Sequence, residues 1–558
     1  MGRKKSDGPI VPEGRRKTPP TGRHGRGGKG TTASEEVEQL DLLCETADSP
    51  QGADGGAAVD QSTPAPRAVP KSQSTPGWRP PAMTMEEVAN ETNLRTAFKR
   101  VASNQGAPGP DHQSIEAVKE QLEELLPRLR DALLAEHYRP GQIRRVWIPK
   151  PGGGKRGLGI PNVIDRLVQQ AVHQVLSATI EPRFHESSHG FRPGRSCHTA
   201  IAEAKEHLEE GFDWVVDIDL TQFFDRVHHE RLLARLEKFG VTDRRVIRLI
   251  RRMLKAKVVL PSGVVVNTEE GTPQGGPLSP LLSNVVLDEL DWELDRRGHR
   301  FVRYADDANI YVHSERAGLR VMTNLSDFIK RRLRLDVNQD KSAVARPEER
   351  HFLGFRLRRN PLDGQVEVLL SERSKQRLAH QVREHTPRGW GNSLNACIKK
   401  LNVFLVGWIG FFAICDGAES TFVDTDKHTR RRLRAIVLKH RRSKRNIARF
   451  LVQRRVKKSS AWNMVYSGNR SWWALSRAWA VHKGLNNFYF VERGLVSLEH
   501  KWRRLHPRVT APRQQSLALG IAEGRKAGVG ILAVGGDPTS RRAGCEAHKS
   551  GSVRAGRG

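Results

Sequence analysis

Cysteine is scarce in this 558-residue chain: Cys44, Cys197, Cys397, Cys415 and Cys545 are scattered, with no Cys-x-x-Cys pair. That excludes a disulfide framework or a zinc ribbon as the organising device, and a reducing, cytoplasmic setting is expected. Long apolar runs are lacking too. No uninterrupted stretch of about 18 apolar residues occurs, so no membrane span is expected. The N-terminus has no apolar core of a secretory signal. Acid is short relative to base: 62 Asp+Glu stand against 94 Lys+Arg, giving a formal charge of +32 and a pI near 10.5. An excess of that size points to a polyanionic partner, either nucleic acid or an acidic surface.

Where the charge sits decides how to read it. Residues 1–82 are rich in Gly, Pro, Ser and charge and poor in large apolar side chains, as are residues 511–558. Such stretches bury too little surface to offset chain entropy, and both are expected to be disordered tails. Between them, helical and strand patterns alternate without a regular repeat, which predicts an α+β fold. The basic excess lies late: residues 371–510 hold 30 Lys/Arg against 8 Asp/Glu, a net +22 of the chain's +32. Residues 427–458 hold 15 Lys/Arg and no acid. Leu433, Ile436 and Val437, then Ile447, Phe450 and Leu451, keep helical spacing there. The spacing predicts a folded helical pair with a basic outer face. Seven of the 11 tryptophans also fall in the late region, most as core and one or two as stacking platforms for bases.

The chemistry-bearing signal is carboxylate. "FVRYADDANIYV" (301–312) puts Asp306 and Asp307 side by side within an apolar strand pair. An isolated "ADD" is an ordinary turn. A second acidic strand end changes that reading: "VVDIDL" ends a buried strand with Asp217 and Asp219 on one face. Three carboxylates brought to one place repel one another unless divalent cations relieve them. Mg2+ takes hard oxygen ligands and shares itself with substrate phosphates, and two such ions about 3.5–4 Å apart serve in-line phosphoryl transfer. Lys150 and Arg156 flank the turn of "PKPGGGKRG", either as a clamp on a triphosphate or as a solvated basic hairpin. "GTPQGGPLSP" supplies glycines for close backbone approach and Gln274 for a polar contact, and Lys341 in "NQDKS" is within reach of a departing pyrophosphate or is plain surface.

Taken in order, these stretches resemble the motifs of reverse transcriptases, most closely the bacterial kind encoded within group II introns. "NQGAPGPD" (104–111), "IPKPGGGKRGLGIPNVIDRLVQQAV", "SSHGFRPGRSCHTA" (187–200), "DLTQFFDRVHH" (219–229), "GTPQGGPLSPLLSN", "YADD" (304–307), "NQDKS" and "HFLGF" (351–355) follow the family's sequence of motifs over residues 85–360. "LNVFLVGWIGFF" and "RRRLRAIVLKHRRSKRN" resemble the maturase, or thumb, domain. The resemblance implies a right-hand polymerase fold: a helical extension at 83–129, fingers and palm at 130–358, a helical thumb/maturase domain at 359–480 and a basic nucleic-acid-binding segment at 481–510. It implies Asp219, Asp306 and Asp307 as the catalytic, metal-binding triad holding two Mg2+ ions, with Asp217 a neighbour. Lys150 and Arg156 correspond to the triphosphate clamp, Gln274 to the nucleotide pocket and Lys341 to the general acid. Phe224 corresponds to the bulky residue beneath the sugar, where it would clash with a 2′-hydroxyl. Arg431, Arg432, Arg434, Arg441, Arg442, Lys444 and Arg445 are the expected RNA contacts. The implied partners are the host intron RNA, a DNA target or primer, and dNTPs. Many relatives end in an HNH nuclease with paired cysteines; Cys545 stands alone, and no nuclease is expected. The competing readings are a splicing cofactor with a vestigial polymerase, and a domesticated or retron-like enzyme.

Overall fold

The computed structural model describes residues 83–149, 154–387, 389–468 and 471–506. The expected tails at 1–82 and 511–558, the nuclease expectation and Lys150 all lie outside these residues. The described chain divides into two compact units, one of residues 83–377 with 414–418 and one of residues 378–413 with 419–506.

The first unit is built on an antiparallel sheet of β3 (Trp214–Asp219), β6 (Arg300–Tyr304), β7 (Asp307–Val312) and β8 (Ala343–Ala345). Their order across the sheet is β6-β7-β3-β8. Alternation sorts its two faces. Val216 and Ile218 of β3, with Ile310 and Val312 of β7, join the hydrophobic core alongside Val321 and Leu325 of the Glu315–Phe328 helix. Asp217 and Asp219 point to the opposite face, where the register sets them across from Asn309 and Asp307.

A second sheet pairs β1 (Ile143–Pro149) with β2 (Lys155–Ile160) antiparallel, and β1 with the two-residue strand β4 (Val258–Val259) in parallel; β5 (Val265–Val266) completes it. The following helix, Val163–Ile180, buries the expected face of Val163, Leu167, Val168, Ala171 and Val172, and also Asp165, Arg166 and Gln169. Two of these polar groups bind other segments of the unit. Asp165 accepts from the Tyr138 hydroxyl at 2.5 Å, and Arg166 donates to the Ala107 carbonyl at 2.7 Å. Arg144 donates to the Pro108 carbonyl at 2.9 Å, so the "NQGAPGPD" stretch is docked by two arginines. β9 (Phe355–Arg359) and β10 (Val366–Leu370) form a separate hairpin.

The second unit is helical. Leu433, Ile436, Val437, Ile447, Phe450 and Leu451 are all buried in one core with Ile398, Leu475 and Phe490. The Leu394–Phe412 helix is long and apolar enough, by length and average composition alone, to cross a membrane, although it holds no uninterrupted apolar run of that length. Lys399 and Lys400 interrupt its apolar run; Leu401, Leu405 and Ile409 are buried on one side, while Val403 is exposed.

Candidate active site

The β6–β7 hairpin turns through two residues, Ala305 and Asp306, between the paired Tyr304 and Asp307. Ala305 takes a φ of 57°, a left-handed conformation usually left to glycine. The turn presents Asp306, while Asp307 opens β7 directly across from Asp219 at the end of β3. The structure therefore brings together three carboxylates separated by 87 residues of chain (306 − 219), with Asp217 two positions behind.

Their electrostatics are those of crowded like charges. Burial pushes the Asp306 carboxyl above its usual range and Asp219 adds to the rise, while its own backbone N–H, Arg156 and Lys341 pull against it. Burial raises Asp307 further, reinforced by Asp217, Asp306 and Asp219 and opposed by Arg350. Lys341 Nζ lies 3.1 Å from Asp219 Oδ2, as the counter-ion of that carboxylate.

Several residues that sequence reasoning missed hold this arrangement. The Asp219 N–H donates to Ser342 Oγ at 3.0 Å, and the Asp219 carbonyl accepts from the Asn338 N–H at 2.8 Å. Arg350 binds Asp217 Oδ2 through Nε at 2.8 Å and Nη2 at 2.5 Å, and Nη2 also donates to the Lys341 carbonyl at 2.6 Å. Asp217 is thus tied up in a salt bridge whose arginine also holds the lysine loop. Ser342 ends "NQDKS" and Arg350 directly precedes "HFLGF", but nothing in their spacing announces what they bind.

The other expected nucleotide contacts gather on the same unit. The Phe224 carbonyl accepts from the Thr272 N–H at 2.6 Å, and the Phe224 ring lies edge-on to Phe223. Gly271 has a φ of 90°, and a Cβ there would lie 2.9 Å from the Phe224 carbonyl oxygen, so this approach requires glycine. The Gln274 carbonyl accepts from the Gly159 N–H of β2 at 2.7 Å. One loop therefore links Phe224 to the strand that carries Arg156.

Among the described residues, no three or more His, Cys, Asp or Glu side chains are drawn close enough to hold a metal ion as they stand. The donor set nonetheless suits a hard divalent cation: two carboxylates across a strand pair and one on the adjoining turn, two of them raised by burial and mutual repulsion, and the third taken by a lysine. Asp219, Asp306 and Asp307 fit that group by chemistry.

The basic stretch of the second unit splits in two. Arg432 and Arg434 are buried, which corrects their expected place among the RNA contacts. Arg432 donates to Thr386 Oγ1 and the Thr386 carbonyl, each at 2.5 Å, and to the Arg383 carbonyl at 3.0 Å. Arg434 donates to the Leu485 carbonyl at 2.9 Å, and burial pulls its pKa down to about 10. Both guanidinium groups pin loops to the helix. Arg431 lies over the Trp473 ring, 3.6 Å from its centroid, and Lys444 reaches the Gly468 carbonyl at 3.4 Å. Arg441, Arg442 and Arg445 are exposed, Arg441 against the Phe450 ring.

Comparison with known proteins bears directly on both regions. Residues 148–357 match the family described as reverse transcriptase (RNA-dependent DNA polymerase), and residues 375–462 match the group II intron, maturase-specific domain. The chain is 31% identical over 351 residues to Protein YkfC of Escherichia coli (strain K12), covering 56% of this chain and 89% of that protein. It is 29% identical over 362 residues to the group II intron-encoded protein LtrA of Lactococcus lactis subsp. cremoris, covering 50% of this chain and 59% of LtrA. A putative COX1/OXI3 intron 2 protein of Saccharomyces cerevisiae is 25% identical over 369 residues, covering 55% of this chain and 42% of its own. The carboxylate centre falls within the first match and the basic helices within the second, so the chain belongs to the group II intron-encoded reverse transcriptases and carries both the polymerase and the maturase-specific domain of that family.

Proposed function

We propose that this protein is an RNA-directed DNA polymerase that copies group II intron RNA into DNA and also binds that RNA to assist its splicing. The β6-β7-β3-β8 sheet is its palm, the β2-β1-β4-β5 sheet its fingers, and the helical second unit its thumb and maturase domain. The single observation that carries the reading is the strand register that sets Asp219 against Asp307, with Asp306 on the adjoining turn.

Reverse transcriptases generally use divalent metal ions. Here Asp219, Asp306 and Asp307 would hold two Mg2+ ions, which supply activation of the primer 3′-hydroxyl and neutralisation of charge on the transferred phosphoryl group. The rest falls to this chain's own side chains. Arg156 brings positive charge toward the triphosphate from β2. Lys341, which pairs with Asp219, gives a proton to the departing pyrophosphate. The Phe224 ring blocks a 2′-hydroxyl, and Gln274 lines the nucleotide pocket. Positioning and charge neutralisation supply the catalysis, since phosphoryl transfer asks for little covalent chemistry from the protein.

Primer extension on an RNA template tests this. Asp306→Ala should lose at least about 10³-fold in rate, the scale of losing a principal electrostatic stabiliser, with its melting temperature preserved. Extension at the parent rate would refute the assignment. Splicing assistance should survive in the same variant, because the maturase-specific residues are untouched.

A further inference from the structure

The carboxylate turn stands on a buried polar clasp that phosphoryl transfer does not directly use. At its centre is Arg303, next to last in β6 and 1% exposed. Its Nε and Nη2 bind the two oxygens of Asp291, itself fully buried on the Ser279–Arg296 helix, at 2.6 and 2.5 Å. Nη1 donates to Asn284 Oδ1 at 3.0 Å and to the Ala305 carbonyl at 2.8 Å, and Nη2 also donates to Ser188 Oγ at 2.6 Å. A guanidinium has five N–H donors, and these five bonds use them all.

The same cluster grips the turn through the backbone. The Arg303 N–H donates to the Ser187 carbonyl and its carbonyl accepts from the His189 N–H, both at 2.8 Å. Asn284 Nδ2 donates to the Gly190 carbonyl at 2.9 Å. Gly190 lies so near the turn that a Cβ there would sit 2.2 Å from the Ala305 nitrogen. Three separate segments therefore converge on one alanine with left-handed φ, the residue immediately before Asp306.

A buried ion pair of this kind is a poor source of stability, because desolvation offsets its attraction; what a fully satisfied network supplies is a defined geometry. We propose that Arg303, Asp291 and Asn284 are positioning residues for the reaction: they hold the strained Ala305 turn so that Asp306 and Asp307 stay beside Asp219, where a bound cation draws the three carboxylates together. This rests on the polymerase reading.

The test uses the full chain and compares the parent with Arg303→Lys, Asn284→Ala and Asp306→Ala. Two readouts are taken: the split of kcat and KM for dNTP in primer extension, and Mn2+ binding without dNTP, followed by the electron spin resonance of the free ion. Arg303→Lys keeps the charge but loses the planar fork. It should lower kcat by about 10²-fold and weaken Mn2+ binding by about tenfold, as loss of supporting groups around a metal site does, with KM for dNTP little changed. Asn284→Ala should move both in the same direction by less. Parent-like kcat and Mn2+ affinity in either folded variant, alongside an inactive Asp306→Ala, would overturn the positioning role and leave the polymerase reading intact. Activity persisting in Asp306→Ala would instead overturn the reading on which it rests. Failure of both Arg303→Lys and Asn284→Ala to fold would also count against the proposal, since the cluster would then be a requirement of folding and not of geometry.

Discussion

The two units of this chain treat crowded like charges in opposite ways. In the first, Asp217, Asp219 and Asp307 share one face of a sheet with Asp306 on the adjoining turn, and the fold does not relieve them evenly: Asp217 receives Arg350, Asp219 receives Lys341, and Asp306 and Asp307 are left raised by burial and their neighbours. In the second, a run of arginines is divided between the Glu419–His440 helix, the turn after it and the Lys444–Gln453 helix. Arg432 and Arg434 turn inward to backbone carbonyls, while Arg441, Arg442 and Arg445 face water. The lesson is that concentrated charge is a site only where the fold declines to satisfy it. Repulsion held in place by a rigid sheet can be relieved by a cation, whereas repulsion divided among helices becomes partly architecture and partly exposed positive surface.

That contrast can be broken at either end. The largest expected effect after Asp306→Ala is on stability in the second unit. Arg432→Ala would leave the Thr386 carbonyl and hydroxyl buried without a donor and should cost about 3 kcal/mol. It should lower the thermal midpoint while leaving the salt dependence of intron RNA binding unchanged in whatever protein remains folded. A smaller effect is expected at the exposed cations. Changing Arg441, Arg442 and Arg445 together to Gln should keep the thermal midpoint and reduce the slope of log K against log salt by about 2, at roughly 0.7 for each single-strand phosphate no longer neutralised. A salt slope that responded to Arg432 and ignored the exposed trio would invert the division drawn between them.

The smallest effect sharpens the carboxylate side. Because the folded-state pKa of Asp307 is raised above its unfolded value, the native state binds this proton more readily than the unfolded chain does. Its ionisation therefore costs stability in full above the raised pKa, and that cost fades as pH falls toward the unfolded value near 3.8. In metal-free buffer Asp307→Asn should be more stable than the parent at neutral pH, by a few degrees in thermal midpoint, and the difference should shrink on acidification. Equal midpoints at neutral pH would mean that the carboxylate carries no such penalty.

The sheet and its acidic face were legible because a strand's period of two leaves little freedom: an apolar Val216 and Ile218 force Asp217 and Asp219 to the other side. The ordered motifs made the pairing of two distant strands legible as well. The helix was harder to read. Every residue from Arg432 to Leu438 is buried in the Glu419–His440 helix, so apolar spacing alone could not say which arginines reach water. Arg303 did leave a trace, as a charge inside an apolar strand three residues before Asp306. Its partners Asp291 and Ser188 lie on other elements, and pairings between elements depend on packing that no local pattern encodes.

The central claim is that the carboxylate centre is a cation site. Diffraction from crystals of the full chain with primer, template and Mn2+, recorded at the manganese edge, tests it most directly. The account predicts anomalous peaks within about 2–2.5 Å of oxygens of Asp219, Asp306 and Asp307, with Lys341 displaced from Asp219. A map with Lys341 still bonded to Asp219 and no peak among the three carboxylates would contradict it.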